Sequence, residues 1–276
     1  MQAKVERKRF GPWALITGAS SGIGREFALR IAASDINVVL VARRQDPLDA
    51  LGAELSRKFG VKHRVVLADL SDEGFITQLA EATSDLDVGL VISNAGSANP
   101  GRFTDKDREE LAMTLRLSAL AHAELALHFG RKLIKRGSGG FLFVGAMGAD
   151  TGAPFMAHDG GAKAYVQSLG LALHEEFKPS GVYVTVLPPG PTDTPVLAKF
   201  GMDPKTMPMK PMKVDQVVAE GLKALAANRP IIIPGRMNRI VRAVLPSSFT
   251  RSMLAKMFEK MPAISGPSSQ SGKASP

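Results

Sequence analysis

The stretch Thr17-Gly18-Ala19-Ser20-Ser21-Gly22-Ile23-Gly24 decides the fold of this chain. A short apolar run at residues 13–16 precedes it, and a segment of helical period through Phe27, Leu29 and Ile31 follows it. Glycine lets a backbone turn tightly and approach a phosphate, whose charge the N–H groups of the following helix attract. A strand, a glycine-rich loop and a helix in this order therefore predict nucleotide binding. The simpler alternative is a turn that merely requires glycine.

Short apolar runs recur along the chain and alternate with longer stretches of helical period. Strands that are apolar on both faces suit a parallel sheet covered by helices on each side. The sequence therefore predicts an α/β fold: a doubly wound parallel sheet of the Rossmann type, with about seven strands flanked by helices on both faces. The apolar runs cover residues 13–16, 36–41, 65–67, 88–92, 141–144, 182–187 and 231–233.

The segment after the second run contains the signals of a complete helix. Asp46 can cap the helix, Pro47 fits its first position, and Gly60 ends it. Four apolar side chains repeat along one face of this predicted helix: Leu48, Leu51, Leu55 and Phe59.

The connections are short, and no linker divides the chain before about residue 234. We expect one dinucleotide-binding domain over residues 1–235, including a substrate loop at 192–213. A basic amphipathic extension at 236–264 and a disordered tail at 265–276 would follow. The substrate loop is apolar and expected to be mobile because it mixes prolines with Met202, Met207, Met209 and Met212. One helical face of the extension is expected to pack on the domain or a partner subunit rather than on lipid: Phe249, Met253, Leu254, Met257, Phe258 and Met261.

The amino-acid composition excludes several classes of function. The chain has 276 residues, 45% hydrophobic and 22% charged, and no cysteine, so disulfides and thiolate metal sites are excluded and a cytoplasmic location is expected. No metal site, secretory signal or transmembrane segment is predicted. The net charge of +9 is spread along the chain without a nucleic-acid motif, so we expect no nucleic-acid partner. A solvated surface or an anionic small ligand is favoured, and a weak peripheral membrane contact is the remaining alternative.

The residues at the end of the second apolar run predict which nicotinamide cofactor the chain binds. An acidic residue there would bind a ribose 2′-hydroxyl, whereas arginine accommodates a 2′-phosphate. The chain has Arg43 and Arg44 at this place and no carboxylate before Asp46. NADP(H) is therefore favoured over NAD(H), with Arg43 as the main contact. The alternative is two arginines that simply face solvent.

Further motifs extend over nearly the whole chain, which resembles the short-chain dehydrogenases/reductases. The glycine pattern has that family's spacing, and Asp69-Leu70, Ser93-Asn94-Ala95-Gly96, the segment from Pro189 to Thr194, and Lys163-Ala164-Tyr165-Val166 are similar to its other motifs. The resemblance implies that the cofactor is held by Thr17, Gly18, Ser20, Ser21, Gly22, Ile23, Gly24, Arg43, Arg44, Asp69, Leu70, Asn94, Ala95, Gly96, Lys163, Pro189, Gly190, Thr192 and Thr194.

The resemblance also implies hydride transfer between a nicotinamide and a carbonyl or alcohol carbon. In the family a serine steadies the substrate oxygen, a tyrosine passes the proton, a lysine raises the acidity of that tyrosine, and an asparagine helps to hold a water. Lys163 fits the lysine. The tyrosine position then falls on Asp159, the serine position on Ala146 and the asparagine position on Arg116, so three of the four places depart from the pattern.

The chain offers few substitutes for the missing tyrosine. Tyr165 lies on another helix face than Lys163, and Tyr183 lies in a strand. Histidine is the side chain suited to proton transfer near neutral pH, so His158 is the best local stand-in, although a lone histidine in such a loop is more often a surface residue. Asp159 is shorter than tyrosine, and we expect the Lys163 ammonium to lower its pKa. An ion pair of Asp159 with Lys163 or Arg116 is the structural alternative.

Three functions remain open. The first is an NADP(H)-dependent oxidoreductase with an atypical active site that acts on a small apolar carbonyl or alcohol substrate. The second is a catalytically inactive NADP(H)-binding protein: a pseudoenzyme, a sensor or a partner subunit. The third keeps the nucleotide as a scaffold while Asp159 does non-redox acid–base chemistry. The family resemblance also implies a homodimer or homotetramer, which the apolar stretches at 115–129 and 165–173 permit.

Overall fold

The computed structural model describes residues 5–199 and 210–259, and its centre is a six-stranded parallel sheet. The strand order is β3-β2-β1-β4-β5-β6, so the chain winds outward from β1 in one direction and then from β4 in the other. Leu15 in the middle of β1 pairs with Val39 of β2 and Val91 of β4. The strands are β1 (Trp13–Thr17), β2 (Asn37–Ala42), β3 (His63–Leu67), β4 (Val88–Ser93), β5 (Gly139–Val144) and β6 (Val182–Leu187).

Eleven α-helices occur in the described part of the chain, and a π-helical turn at Arg116–Leu120 joins the fifth to the sixth. The helices are α1 (Arg7–Phe10), α2 (Gly22–Ala32), α3 (Gln45–Phe59), α4 (Phe75–Ala82), α5 (Arg108–Leu115), α6 (Ala121–Arg136), α7 (Ala157–Phe177), α8 (Pro195–Lys199), α9 (Val214–Ala226), α10 (Arg236–Val244) and α11 (Ser247–Glu259).

Two apolar cores cover the two faces of the sheet. On one face α2, α3 and α9 bury side chains such as Phe27, Leu51 and Leu222. On the other face α4, α6 and α7 bury side chains such as Phe129 and Val166. Strands that are covered on both sides must be apolar throughout, which explains their continuous apolar runs. The α/β prediction of a doubly wound parallel sheet is confirmed.

Local details differ from the sequence predictions at two places. The α3 helix is capped at Arg44 without a side-chain hydrogen bond, so the prediction of Asp46 as the cap was wrong; Asp46 lies inside the first turn, where its charge suits the helix dipole. Gly60 ends the helix at φ 71°, as predicted. The seventh apolar run forms no regular strand but a single parallel bridge from Ile231 to Val186 of β6.

The region after residue 190 shapes the open end of the domain. The base of the substrate loop is held by a bridge between Thr192 and Met212, whereas Met202, Met207 and Met209 lie outside the described residues. The helices α10 and α11 fall in the predicted extension, and Met261 and the tail at 265–276 again lie outside the described residues. The division at residue 235 stays a prediction. Within residues 5–199 and 210–259, none of the helices has the length and apolarity needed to span a bilayer.

Candidate active site

A groove of about 600 Å³ lies at the carboxyl ends of β1, β2, β3 and β4. This is where the winding of the sheet reverses between β1 and β4, the usual ligand position in open α/β sheets. Most of the residues predicted to hold a cofactor line the groove: Gly18, Ser20, Ser21, Gly22, Ile23, Arg43, Arg44, Asp69, Leu70, Asn94, Ala95, Gly96 and Thr194. Ala42, Pro47, Ala68, Leu117, Pro195 and Val196 complete its walls.

The glycine loop presents backbone to this groove. Gly18 and Gly22 have φ values of 67° and 54°, which side-chain-bearing residues rarely adopt. The loop leads into the N-terminus of α2, whose first turn contains no acidic residue. The helix dipole therefore faces the groove without a competing carboxylate, an arrangement suited to a phosphate.

Two predicted cofactor residues hold the loop instead of lining the groove. Thr17 is fully buried, and its hydroxyl oxygen accepts hydrogen bonds from the N–H groups of Asn94 and Ala95, each at 3.0 Å. Gly24 packs so closely that a methyl group there would lie 2.2 Å from the Gly18 carbonyl oxygen. The Asn94 side chain donates to the Thr17 carbonyl at 2.9 Å, so β1 and β4 fix the loop together.

The two arginines after β2 form the outer edge of the groove. Arg43 lies 3.4 Å from the Asp69 carboxylate and stays two-thirds exposed. Arg44 donates to the Ser20 hydroxyl at 3.1 Å. Two guanidinium groups thus stand at the end of β2, on the side of the groove away from Gly96.

A second cavity of about 320 Å³ adjoins this groove. Lys163 and Asp159 line one side of it together with Ser97 and Ala146. Most of the remaining wall is apolar and comes from the loops after β5 and β6 and from α10 and α11: Met147, Met156, Pro189, Gly190, Pro191, Leu197, Val241, Leu245, Met253 and Leu254. Pro189 and Gly190 thus line this cavity instead of the groove, and Thr192 is buried, with its hydroxyl donating to the Gly190 carbonyl at 2.9 Å.

Lys163 lies where the groove and the cavity meet. Its ammonium donates to the Val144 carbonyl at 3.1 Å, and a methyl group at Gly96 would lie 2.8 Å from its Nζ atom. Burial lowers the pKa of Lys163 from its ordinary 10.5 to about 8, against the opposing influence of the nearby Asp159 charge. The amine is therefore mostly protonated at neutral pH.

Asp159 lies one helical turn before Lys163 on α7 and is 6% exposed. Its Oδ1 atom accepts a hydrogen bond from the Asn99 N–H at 3.1 Å. Burial raises the pKa of Asp159, although the Asn99 hydrogen bond and the Lys106 charge act in the opposite direction. The prediction of a lowered pKa was wrong because burial outweighs the neighbouring cations. The alternative of an ion pair was also wrong: among the described residues no cation lies within ion-pair distance of Asp159.

The lowered pKa of Lys163 predicts a pH dependence of stability. Between pH 8 and 10.5 the unfolded chain binds more protons at this residue than the folded chain, so its contribution to stability rises with pH. Lys163→Met should remove that rise, on the order of 1–3 kcal/mol in the free energy of unfolding. Urea unfolding at both ends of this pH range measures it, with the exposed Lys135→Met as control. A difference between wild type and Lys163→Met that does not change with pH would contradict this assignment.

The other predicted catalytic residues do not line the cavity. The His158 ring donates from Nε2 to the Leu111 carbonyl at 2.6 Å, which directs it towards α5. Arg116 lies 3.4 Å from Glu109 on the protein surface. Tyr165 is 47% exposed, and the Tyr183 ring packs against Arg9 and Phe10.

A buried polar stripe on the long α5–α6 segment was missed by sequence reasoning. Thr114, Ser118 and His122 follow each other at spacings of four and are at most 5% exposed. The Ser118 hydroxyl accepts from the Ser97 N–H at 3.2 Å and lies near Gly96, as the Lys163 amine does. Burial and the Lys163 charge lower the pKa of His122 well below its ordinary value, so this ring stays neutral. Polar residues at helical spacing within an apolar helix were the signal for this stripe.

The fold and the two adjoining cavities define a class of nucleotide-binding α/β proteins, and comparison with known proteins identifies the family. Residues 12–205 match the family model described as short chain dehydrogenase, and the chain belongs to that family.

Curated relatives agree with this assignment. A very-long-chain 3-oxoacyl-CoA reductase of Pyrenophora tritici-repentis is 35% identical over 184 residues, which cover 63% of this chain and 54% of that protein. The chain thus spans about half the length of such relatives. A 7beta-hydroxysteroid dehydrogenase of Clostridium sardiniense is 29% identical over 234 residues, covering 84% of this chain and 89% of the relative.

Solved structures show the same fold. One from work on 7beta-hydroxysteroid dehydrogenase stereoselectivity has a TM-score of 0.83 at 26% identity, covering 92% of this chain and 99% of that chain. A short-chain dehydrogenase from Sphingobium yanoikuyae in complex with NADPH has a TM-score of 0.78 at 29% identity, covering 93% and 98% of the two chains.

Proposed function

We propose that this protein is an NADP(H)-dependent oxidoreductase that transfers hydride to or from an apolar carbonyl or alcohol substrate, with Asp159 as an atypical proton donor. The proposal rests on one observation: the groove and the cavity meet at Lys163. Gly96 belongs to the wall of the groove, Lys163 and Asp159 belong to the wall of the cavity, and Gly96 and Lys163 are in close contact. A cofactor and a substrate in these two spaces would be in contact beside a lysine and a carboxyl group.

The residues of the groove fit a dinucleotide. A side chain at Gly18 would approach the Asn94 amide nitrogen to 2.8 Å, so glycine at this position lets the loop pack closely against the residues after β4 and keep its shape. The α2 N-terminus suits the pyrophosphate, and Asp69 and Leu70 border the adenine side. Bound there, the nicotinamide would supply or accept the hydride. Arg43 and Arg44 suit a 2′-phosphate, in line with the NADPH held by the Sphingobium relative.

Replacing Arg43 with alanine tests the cofactor preference. We expect the Kd for NADPH to rise roughly 10- to 100-fold and the Kd for NADH to change little, because only the 2′-phosphate loses a charge-assisted hydrogen bond. Titration of cofactor fluorescence measures both constants, and Arg57→Ala on the exposed end of α3 is the control. Equal weakening for both cofactors would refute an Arg43 contact with the 2′-phosphate.

The proposed proton transfer depends on the raised pKa of Asp159. The Oδ1 atom is held by Asn99, which leaves Oδ2 to carry a proton towards the cavity. In reduction this proton would pass to the substrate oxygen, through one bound water because the side chain is shorter than tyrosine. The adjacent Lys163 ammonium would stabilise negative charge on that oxygen. Because the protonated carboxyl is needed, the reductive rate should fall as pH rises through the raised pKa.

The apolar cavity wall indicates the substrate class. Methionine, leucine and proline side chains surround the space in front of Asp159, and the named relatives are a very-long-chain 3-oxoacyl-CoA reductase and a 7beta-hydroxysteroid dehydrogenase. An apolar ketone or secondary alcohol fits this wall. The experiment is NADPH consumption with a panel of apolar ketones and aldehydes, compared between wild type and Lys163→Ala. Tight NADPH binding without consumption across the panel would refute the proposal.

A second function, NADP(H) binding without turnover, has its own supporting observations. Ala146 in the cavity wall carries no hydroxyl group, both tyrosines lie elsewhere, and one Asp159 oxygen is already occupied by Asn99. The panel separates the two functions, since both predict cofactor binding and only the first predicts NADPH consumption. Asp159→Tyr combined with Ala146→Ser should create turnover in an inactive protein.

We also propose that the protein forms a homodimer or homotetramer through α6 and α7. These helices and the π-helical turn before α6 expose large apolar side chains: Leu120, Leu127, Ile134, Tyr165 and Leu171. Such patches on a domain surface mark interfaces. Light scattering after gel filtration measures the mass.

A further inference from the structure

We propose that α10 and α11 form a docking surface for an anionic lipid membrane. The surface is defined by an apolar stripe of Met237, Ile240, Val244 and Phe249 and by the basic residues around it. This proposal does not depend on the proposed reaction, since it concerns the outer face of the two helices.

The apolar stripe is exposed to solvent, and it includes Phe249, which the sequence predicted to pack on the domain or a partner subunit rather than on lipid. Met237, Ile240 and Val244 fall within about 60° of arc on α10 at about 100° per residue. Their exposed fractions are 65%, 46% and 71%, and Phe249 at the start of α11 is 56% exposed. At the same spacing the buried Asn238 lies about 100° from Met237, and Val241, which lines the cavity, lies about 40° from Met237. The domain therefore covers the side of α10 next to the stripe and leaves the stripe itself exposed.

The positive charge of α10 and α11 favours an anionic membrane as the partner of this surface. Across α10 and α11 (residues 236–259) the sequence has one acidic residue, Glu259, and five cations: Arg236, Arg239, Arg242, Arg251 and Lys256. Glu220 and Asp150 pair with Arg239 and Arg242, whose side chains stay 43% and 38% exposed. A basic helix with an open apolar face is the composition of an interfacial membrane helix, in which apolar burial and attraction to anionic lipid act together. A two-fold contact with a second copy would instead bring equal positive charges together.

The position of the surface is compatible with docking. The groove residues lie elsewhere in the fold, on the glycine loop and at the ends of β2 to β4. Docking through α10 and α11 therefore leaves the groove accessible. None of the four stripe residues lines either cavity, so they can be changed without altering the walls of the groove or the substrate cavity.

The test is sedimentation of the full chain with vesicles of phosphatidylcholine alone or mixed with phosphatidylserine. The variant Val244→Ser/Phe249→Ser removes apolar area from the stripe. The control Phe103→Ser/Met113→Ser removes apolar side chains that are 56% and 45% exposed, outside this surface and outside α6 and α7. Circular dichroism and NADPH titration verify that both variants fold.

We expect wild type and control to bind the anionic vesicles and not the vesicles of phosphatidylcholine alone. The stripe variant should bind the anionic vesicles more weakly, by a factor of roughly ten or more. Salt at about 1 M should release the protein, because the Debye length then shrinks to about 3 Å. Absence of vesicle binding, or equal binding by the stripe variant, overturns the proposal. A stripe variant of lower mass in solution, with no vesicle binding by wild type, overturns it in favour of a second copy on this face.

Discussion

Asp159→Asn is expected to lower the rate of NADPH-dependent carbonyl reduction by about 10²- to 10⁴-fold while the Kd for NADPH stays within about threefold. The amide has nearly the size of the carboxyl group but has no acidic proton to deliver, whereas burial raises the pKa of Asp159 and so favours its protonated form. Steady-state kinetics with the best ketone of the panel give kcat, and fluorescence titration gives the Kd.

The matched control for this prediction is Asp72→Asn, the same change at an exposed carboxylate outside both cavities. An Asp159→Asn protein that turns over at the wild-type rate would exclude Asp159 as the proton donor. A wild-type rate of reduction that does not fall with rising pH would argue against it as well.

Gly24→Ala is expected to abolish measurable NADPH binding. The added methyl group would lie 2.2 Å from the Gly18 carbonyl oxygen and 2.7 Å from the Asn94 amide nitrogen, and neither group can move freely. Asn94 is tied to the Thr17 carbonyl, so the whole glycine loop must shift out of the shape that receives a phosphate. Overpacking of this kind also destabilises a fold by about 1–3 kcal/mol.

Gly161→Ala is the control for this change. Gly161 is also helical, but nothing lies within 4 Å of its added methyl group, so stability should be unchanged or slightly higher. NADPH titration and thermal unfolding of both variants measure the two effects. Full NADPH binding by Gly24→Ala would mean that the cofactor does not use this loop as proposed.

The fold could be predicted from the sequence because its signals are local. Each strand of the sheet contains a run of apolar residues, and Gly60 ends α3 as its backbone conformation requires. The groove could be predicted for the same reason, since the glycine loop and Arg43 each lie directly after a strand. In a parallel sheet all these ends meet at one edge.

The chemistry around Lys163 could not be predicted in this way because it depends on non-local packing. The pKa of Asp159 is decided by burial between distant segments, including the loop at Asn99, and no neighbour in sequence indicates it. Arg116 and Ser118 are two positions apart on a helical turn, so a small error of register exchanges a surface residue for a buried one. The motif spacing alone could not resolve that difference.

The segment from α10 to α11 contributes to only one of the two spaces of the site. Seven residues of this segment line the substrate cavity, and none lines the cofactor groove, whose wall ends at Val196. Under the proposed function, exchanging α10 and α11 for the corresponding segment of another family member is therefore expected to change which ketone is accepted and to leave the nucleotide preference unchanged. Selection, natural or in the laboratory, would then act on the substrate range through these two helices.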